Sequence, residues 1–178
     1  MTCKNCGNTV IGNYCSNCGQ STKVNNINLS NFITEVSNSV FQIDKGFFFT
    51  LKELFVRPGH SIREFINGKR KNHFKPIAFI LTLSTIYFLI SKISDGHTII
   101  DNFLASASDA GDKHNLNTSS SNLAKWLSNN YAYTALLLLP VFSFATYISF
   151  VDFKKNYLEH IVINAYVTGQ QTIFYSFF

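Results

Sequence analysis

The sequence predicts a mainly α-helical, multi-span membrane protein with a small N-terminal β-hairpin zinc ribbon. Three observations predict it. All four cysteines fall in the first 18 residues, as two C-x-x-C-G knuckles. The apolar residues come in blocks, the longest running uncharged over 131–151. Ten of the 15 Lys and Arg lie within residues 1–75, ahead of the first long block. Charged residues make up 14% of the chain, against about 25% in ordinary soluble domains. With 46% hydrophobic residues, this excludes a chain that is disordered as a whole. The net charge is +5. Such a bias suits nucleic acid, an anionic membrane surface or the cytoplasmic side of a membrane protein. The apolar blocks favour the last.

Residues 1–20 form a separate small unit, and 21–28 are a polar linker. Residues 1–20 have no apolar core of the kind a signal peptide needs. Residues 29–74 read as amphipathic juxtamembrane helices. Leu29, Phe32, Ile33, Val36 and Val40 have helical spacing over about 29–42. A second helix is predicted over about 47–56 and is stopped by Arg57-Pro58-Gly59. Thr50 and Glu53 have capping-box spacing, though inside this helix. A third short helix follows, with Ser61 and Glu64 as a second capping-box match and Gly68 as its stop. None of these helices is long enough to be stable alone in water. Phe47-Phe48-Phe49 reads as an interfacial anchor.

Residues 75–178 read as a helical membrane domain with spans at about 76–91, 131–151 and 157–178. The first is short of the roughly 20 residues a span needs, but Lys75 and Lys92 bracket it and can snorkel. Pro140 is tolerable within the second. The third carries Glu159, His160, Asn164, Gln170 and Gln171, and the sequence stops at Phe177-Phe178. That ending is expected of a truncated gene product or a fragment of a longer membrane domain. Arg63, Lys69, Arg70, Lys71 and Lys75 precede the first span, and Lys154 and Lys155 follow the second. The positive-inside rule therefore predicts a multi-pass inner-membrane protein with a cytoplasmic N-terminus and an extracytoplasmic loop over 92–130.

Cys3, Cys6, Cys15 and Cys18 are the predicted metal ligands. Each C-x-x-C turn puts two thiolates on one side of a bend, and the following Gly7 or Gly19 permits positive φ. Two such turns supply a closed tetrahedral S4 site for structural zinc. Iron in a rubredoxin-like site has the same ligands, and disulfides or a redox C-x-x-C remain as other readings. A unit this small has little core, so its folding energy would come mainly from the metal. Few basic or aromatic residues surround it, which disfavours nucleic acid as a partner. A protein partner docking on the ribbon is the better expectation.

Several further motifs recur in a fixed order. Tyr14 to Gln20 reads Tyr-Cys-x-x-Cys-Gly-Gln. Asp44-x-Gly-Phe-x-x-Thr50, Leu54-x-x-Arg57-Pro58-Gly59 and Ile62-x-x-Phe65-Ile66-x-Gly68-Lys69-Arg70 follow, then Pro76 leading into a span. This order resembles a family of bacterial membrane proteins of unknown function, seen mainly among Bacteroidetes-type bacteria. The resemblance covers about residues 1–90 and again Glu159-His160. It implies an N-terminal zinc ribbon, an inner-membrane location and a multi-span helical domain, and no established activity. Family members typically continue beyond position 178.

Two clusters are candidates for function. Arg63, Lys69, Arg70, Lys71 and Lys75 form a basic membrane-proximal patch, expected to touch anionic headgroups. The spacing of His160, Asn164, Thr168, Gln171 and Tyr175 predicts a polar stripe on one helix face of the third span, with Glu159 beside it. Such groups hydrogen-bond between helices or line a polar pathway. No Ser/His/Asp arrangement, H-E-x-x-H, Walker or Rossmann motif is present, so the reading leans away from an enzyme. A non-enzymatic scaffold is the first functional expectation, and a transport component is the alternative. Membrane lipids are the expected surroundings. The sequence sets no oligomeric state.

Overall fold

The computed structural model describes residues 1–22, 24, 27, 46–93, 126–127 and 130–177. Five helices are named within them: α1 (Gly46–Val56), α2 (Pro58–Ile66), α3 (Pro76–Ile93), α4 (Tyr131–Ser149) and α5 (Tyr157–Phe177). A 3-10 turn, Val151–Phe153, joins α4 to α5. The architecture is mainly helical. The helix expected over 29–42 and most of the 92–130 loop lie outside the described residues.

The N-terminal unit departs from the expected β-hairpin. No strand forms among the described residues. Two isolated antiparallel bridges occur instead, Thr2 with Thr9 and Tyr14 with Ser21, one closing each knuckle. The tight C-x-x-C-G turns use their backbone groups internally, which leaves nothing to extend into a ladder.

α1 and α2 form a helical hairpin around Arg57. Pro58 opens α2, where its missing N–H costs no hydrogen bond. The expected capping boxes do not form. Thr50 is fully buried within α1, and its hydroxyl accepts a bond from the Phe74 N–H at 2.7 Å. Ser61 lies inside α2 and bonds His73 at 3.1 Å. The end of α2 matches expectation. Gly68 has φ +104, Lys69 N–H donates to Glu64 C=O at 2.9 Å, and Gly68 N–H donates to Phe65 C=O at 3.1 Å. This is a Schellman stop, which favours glycine at the left-handed position.

The three longest helices pack together, and their contacts fix their directions. Tyr166 of α5 donates to Phe74 C=O at 2.6 Å just ahead of α3, and its ring meets Phe79 at 5.7 Å. Farther along, Gly169 abuts Phe79 and Leu83. α3 and α5 therefore run parallel. Tyr131, at the start of α4, meets Tyr87 at 4.9 Å, whereas Thr146 near its end accepts a bond from Asn164 at 2.8 Å. α4 is antiparallel to both. Phe79, Ile80, Val162, Ala165 and Tyr166 are almost wholly buried at the centre.

α1 and α2 pack on α5. Phe47, expected in an interfacial anchor, is instead a core residue, edge-on to Phe74 at 5.4 Å. Phe48 is 71% exposed, and Phe49 rests edge-on against His73 at 5.3 Å. Helical rotation splits a run of three aromatics over different faces.

α3 and α4 are long and apolar enough to cross a membrane. The third expected span forms as helix α5, but its polar residues keep it from being apolar enough to count with them. Among the described residues the structure thus supplies two candidate spans where the sequence predicted three.

Candidate metal centre and its docking turn

The two knuckles are near copies, offset by 12 residues. Cys3 N–H bonds Asn8 C=O at 2.9 Å, as Cys15 N–H bonds Gln20 C=O at 2.8 Å. Gly7 N–H bonds Cys3 C=O at 2.9 Å, as Gly19 N–H bonds Cys15 C=O at 2.8 Å. The glycine φ values are 78 and 70. The knuckles face each other, so the closest sulfur pairs cross between them: Cys3 with Cys18 at 3.6 Å and Cys6 with Cys15 at 3.5 Å. All four Sγ atoms lie within 4.8 Å of one another.

Those separations decide between readings. A disulfide needs sulfurs about 2.05 Å apart, and all four cysteines are free. A tetrahedron with metal–sulfur bonds near 2.3 Å has edges of about 3.8 Å. The observed arrangement is compatible with metal binding at a closed site of four thiolates. The surroundings favour ionised sulfur at Cys3 and Cys6 and oppose it at Cys18. Backbone N–H groups of Cys6 and Asn5 hold the Cys3 thiol below its usual value. That of Asn8 brings Cys6 down to about 6. The Gln20 N–H pulls Cys18 down as well, but burial and the Cys3 and Cys6 thiols outweigh it and raise Cys18 to about 11. Four thiols crowded together resist ionising as a set until a cation joins them. Tyr14, 69% exposed, points largely to solvent.

Gln20, next after the second knuckle, ties this unit to the rest of the molecule. Its side chain is 5% exposed and makes three hydrogen bonds to one turn. Nε2 donates to Gly68 C=O at 2.9 Å, and Oε1 accepts from the N–H groups of Arg70 and Lys71, each at 3.1 Å. Lys4 adds a bond to Val24 C=O at 2.9 Å. A Cβ on Gly68 would fall 2.8 Å from Lys4 Cδ and 3.2 Å from Val24 Cγ1, so the approach also needs glycine. Sequence reasoning missed this role for Gln20. Its one signal was position, directly behind Cys18-Gly19.

The basic patch is thus partly committed within the protein. Lys69 pairs with Glu64 at 2.7 Å, Arg63 Nε donates to Gly59 C=O at 3.1 Å, and Arg70 lies over the Phe65 ring at 5.3 Å. Lys71 reaches toward Gly19, and Lys75 is half-buried. The polar residues of α5 do not share one environment. Glu159 and Asn156 form a reciprocal capping box: Asn156 Oδ1 accepts from Glu159 N–H at 2.8 Å, and Glu159 Oε2 accepts from Asn156 N–H at 3.0 Å. His160 is buried against Tyr147 at 5.7 Å, and Asn164 bonds Thr146. Thr168 is half-buried and Gln171 is exposed. Gln170 instead reaches α1, donating to Leu54 C=O at 3.0 Å.

The molecule is therefore a mainly helical protein with a four-cysteine cluster beside two candidate spans. Within it, residues 44–88 match a family described as "Protein of unknown function (DUF3667)". That match covers α1, α2 and most of α3, and does not include the cysteines. No curated protein and no solved structure matches the chain.

Proposed function

We propose that this chain is an integral inner-membrane protein whose zinc-folded head, on the cytoplasmic side, is a docking platform for a protein partner. Zinc is bound by Cys3, Cys6, Cys15 and Cys18, and its role is structural, because four protein sulfurs leave no coordination position for a substrate. The observation that carries the docking role is the Gln20 clasp. A head held by three bonds to the turn just ahead of α3 transmits the position of its partner to the membrane helices, as a freely tethered head would not.

The membrane reading is supported by α4. A soluble core helix of this apolarity would be mostly buried, yet only 17% of its apolar window is. Leu137, Val141, Phe142, Phe144 and Ile148 are each more than half exposed. Contiguous apolar surface of this kind is tolerated by lipid and not by water. Capture from solubilised membranes tests the docking role. Partners retained by the native protein and lost with Cys15→Ala support it. An identical set of captured proteins from both would defeat it.

One observation favours a second reading, a polar pathway through α5. His160 is 4% exposed, and its Nε2 has no hydrogen-bond partner among the described residues. Proteoliposome flux abolished by His160→Ala in a folded protein would support that reading. The capping role of Glu159 and the exposure of Gln171 count against a continuous path.

A further inference from the structure

The α1–α2 hairpin sits at a depth where its outward face should not be. Phe47, at the start of α1, packs against Phe74 and Phe79, at the entry to α3. Phe55, near its end, packs edge-on to Phe174 of α5 at 5.4 Å. Gly169 is level with Phe79 and Leu83, and Phe174 lies five residues farther along, or about 7.5 Å at 1.5 Å per residue. Phe79 and Leu83 are themselves about 5–10 Å into α3. The far end of α1 therefore reaches about 12–18 Å along a helix about 27 Å long. α2 then returns, with Phe65 beside Tyr166 at 5.5 Å, and ends at the turn clasped by Gln20. The hairpin enters and leaves on the ribbon side.

The molecule has two unlike sides. α4 presents exposed Leu137 and Val141. The hairpin exposes Phe48, Phe55 and Val56 as well, but it also presents Lys52, Arg57, His60 and Arg63, all exposed, with Glu53 and Glu64 half-buried beside them. Arg57 pairs with Glu53, and Glu64 with Lys69, which leaves Lys52 and Arg63 without a carboxylate partner among the described residues. Charged side chains at membrane depth face water or protein rather than lipid. The break between the two helices at Arg57 (φ −148, ψ 64) is likewise irregular backbone, tolerated there only in protein or in a water-filled cavity.

We propose that α1 and α2 form a re-entrant helical hairpin whose charged face lines a water-filled recess, open to the side of the membrane that carries the ribbon. The proposal rests on the membrane reading above. The recess is cationic and would concentrate anions from that side.

Thiol accessibility in proteoliposomes tests it. Lys52→Cys and His60→Cys sample the recess, and Leu137→Cys and Val141→Cys sample the exposed apolar side of α4. The zinc-loaded parent protein, carrying only its four metal-bound cysteines, gives the background. A membrane-impermeant maleimide applied from the ribbon side is expected to modify positions 52 and 60 at least tenfold faster than 137 and 141. Detergent should then expose all four. If positions 52 and 60 react only after detergent, lipid or a second copy covers the face, and the recess is refuted. If 137 and 141 react as fast as 52 and 60 without detergent, the membrane reading itself fails.

Discussion

Each ribbon cysteine contributes one of four sulfurs at the site, and Cys15 is the most enclosed, 2% exposed. Cys15→Ala is expected to abolish stoichiometric zinc in the purified protein, read by elemental analysis, because three sulfurs leave an open and weaker site. Acid should do the same to the native protein. Bound metal needs four thiolates, so protons compete with it and zinc affinity must fall as pH falls. A retained metal content of one per chain in Cys15→Ala would count against the site. Gln20→Ala leaves the sulfurs in place but strips partners from one buried carbonyl and two N–H groups. It should cost the docked state about 2 kcal/mol. Faster proteolysis between residues 20 and 45 at unchanged zinc content is the expected signature. Cys-x-x-Cys-Gly could be read from the sequence because every partner in a knuckle lies within six residues. The Gln20 clasp could not, because its partners lie 48 to 51 residues away.

At the scale of elements, packing decides which local signals are used. Ser61 and Glu64 have the spacing of a capping box, but Pro58 starts the helix a turn earlier. Ser61 is then buried and free to meet His73. Burial holds the His73 imidazole below its ordinary value, with Glu64 and Glu53 acting the other way. The sign follows from that depression. The unfolded chain takes up the proton near pH 6.5 and the folded one does not, so stability is present above that pH and is lost as pH falls below it. The melting temperature in detergent should drop through this window, and His73→Phe should flatten the drop. Gly169 is the second point. A Cβ there would lie 2.7 Å from Phe79 Cδ1 and 3.3 Å from Leu83 Cδ1, and Phe79 is wholly buried with no room to move. Gly169→Val is expected to destabilise the α3–α5 contact by about 1–3 kcal/mol, measured by thermal shift. An unchanged melting temperature would show that the two helices are not in register as described. The apolar runs made α3 and α4 legible, since period and length suffice for that. Which faces they bury depends on Gly169, Tyr166 and Phe47, whose contacts are tertiary.

The molecule as a whole combines a head whose four clustered cysteines are compatible with metal binding with a body that leaves apolar surface uncovered. These properties belong together if the Gln20 turn sits at a membrane surface, with the ribbon on one side of it and the α4 surface in lipid. Composition and block structure carried that outline. The burial of Phe47 and the depth of Arg57 emerged only when α1 and α2 were placed against α5. The most direct measurement is made on membranes from cells that express the intact chain. After washing in alkaline carbonate and extraction in mild detergent, the chain should stay with the membranes through the wash and then carry one zinc per polypeptide. A monodisperse, zinc-free protein recovered from the soluble fraction in plain buffer would contradict the account.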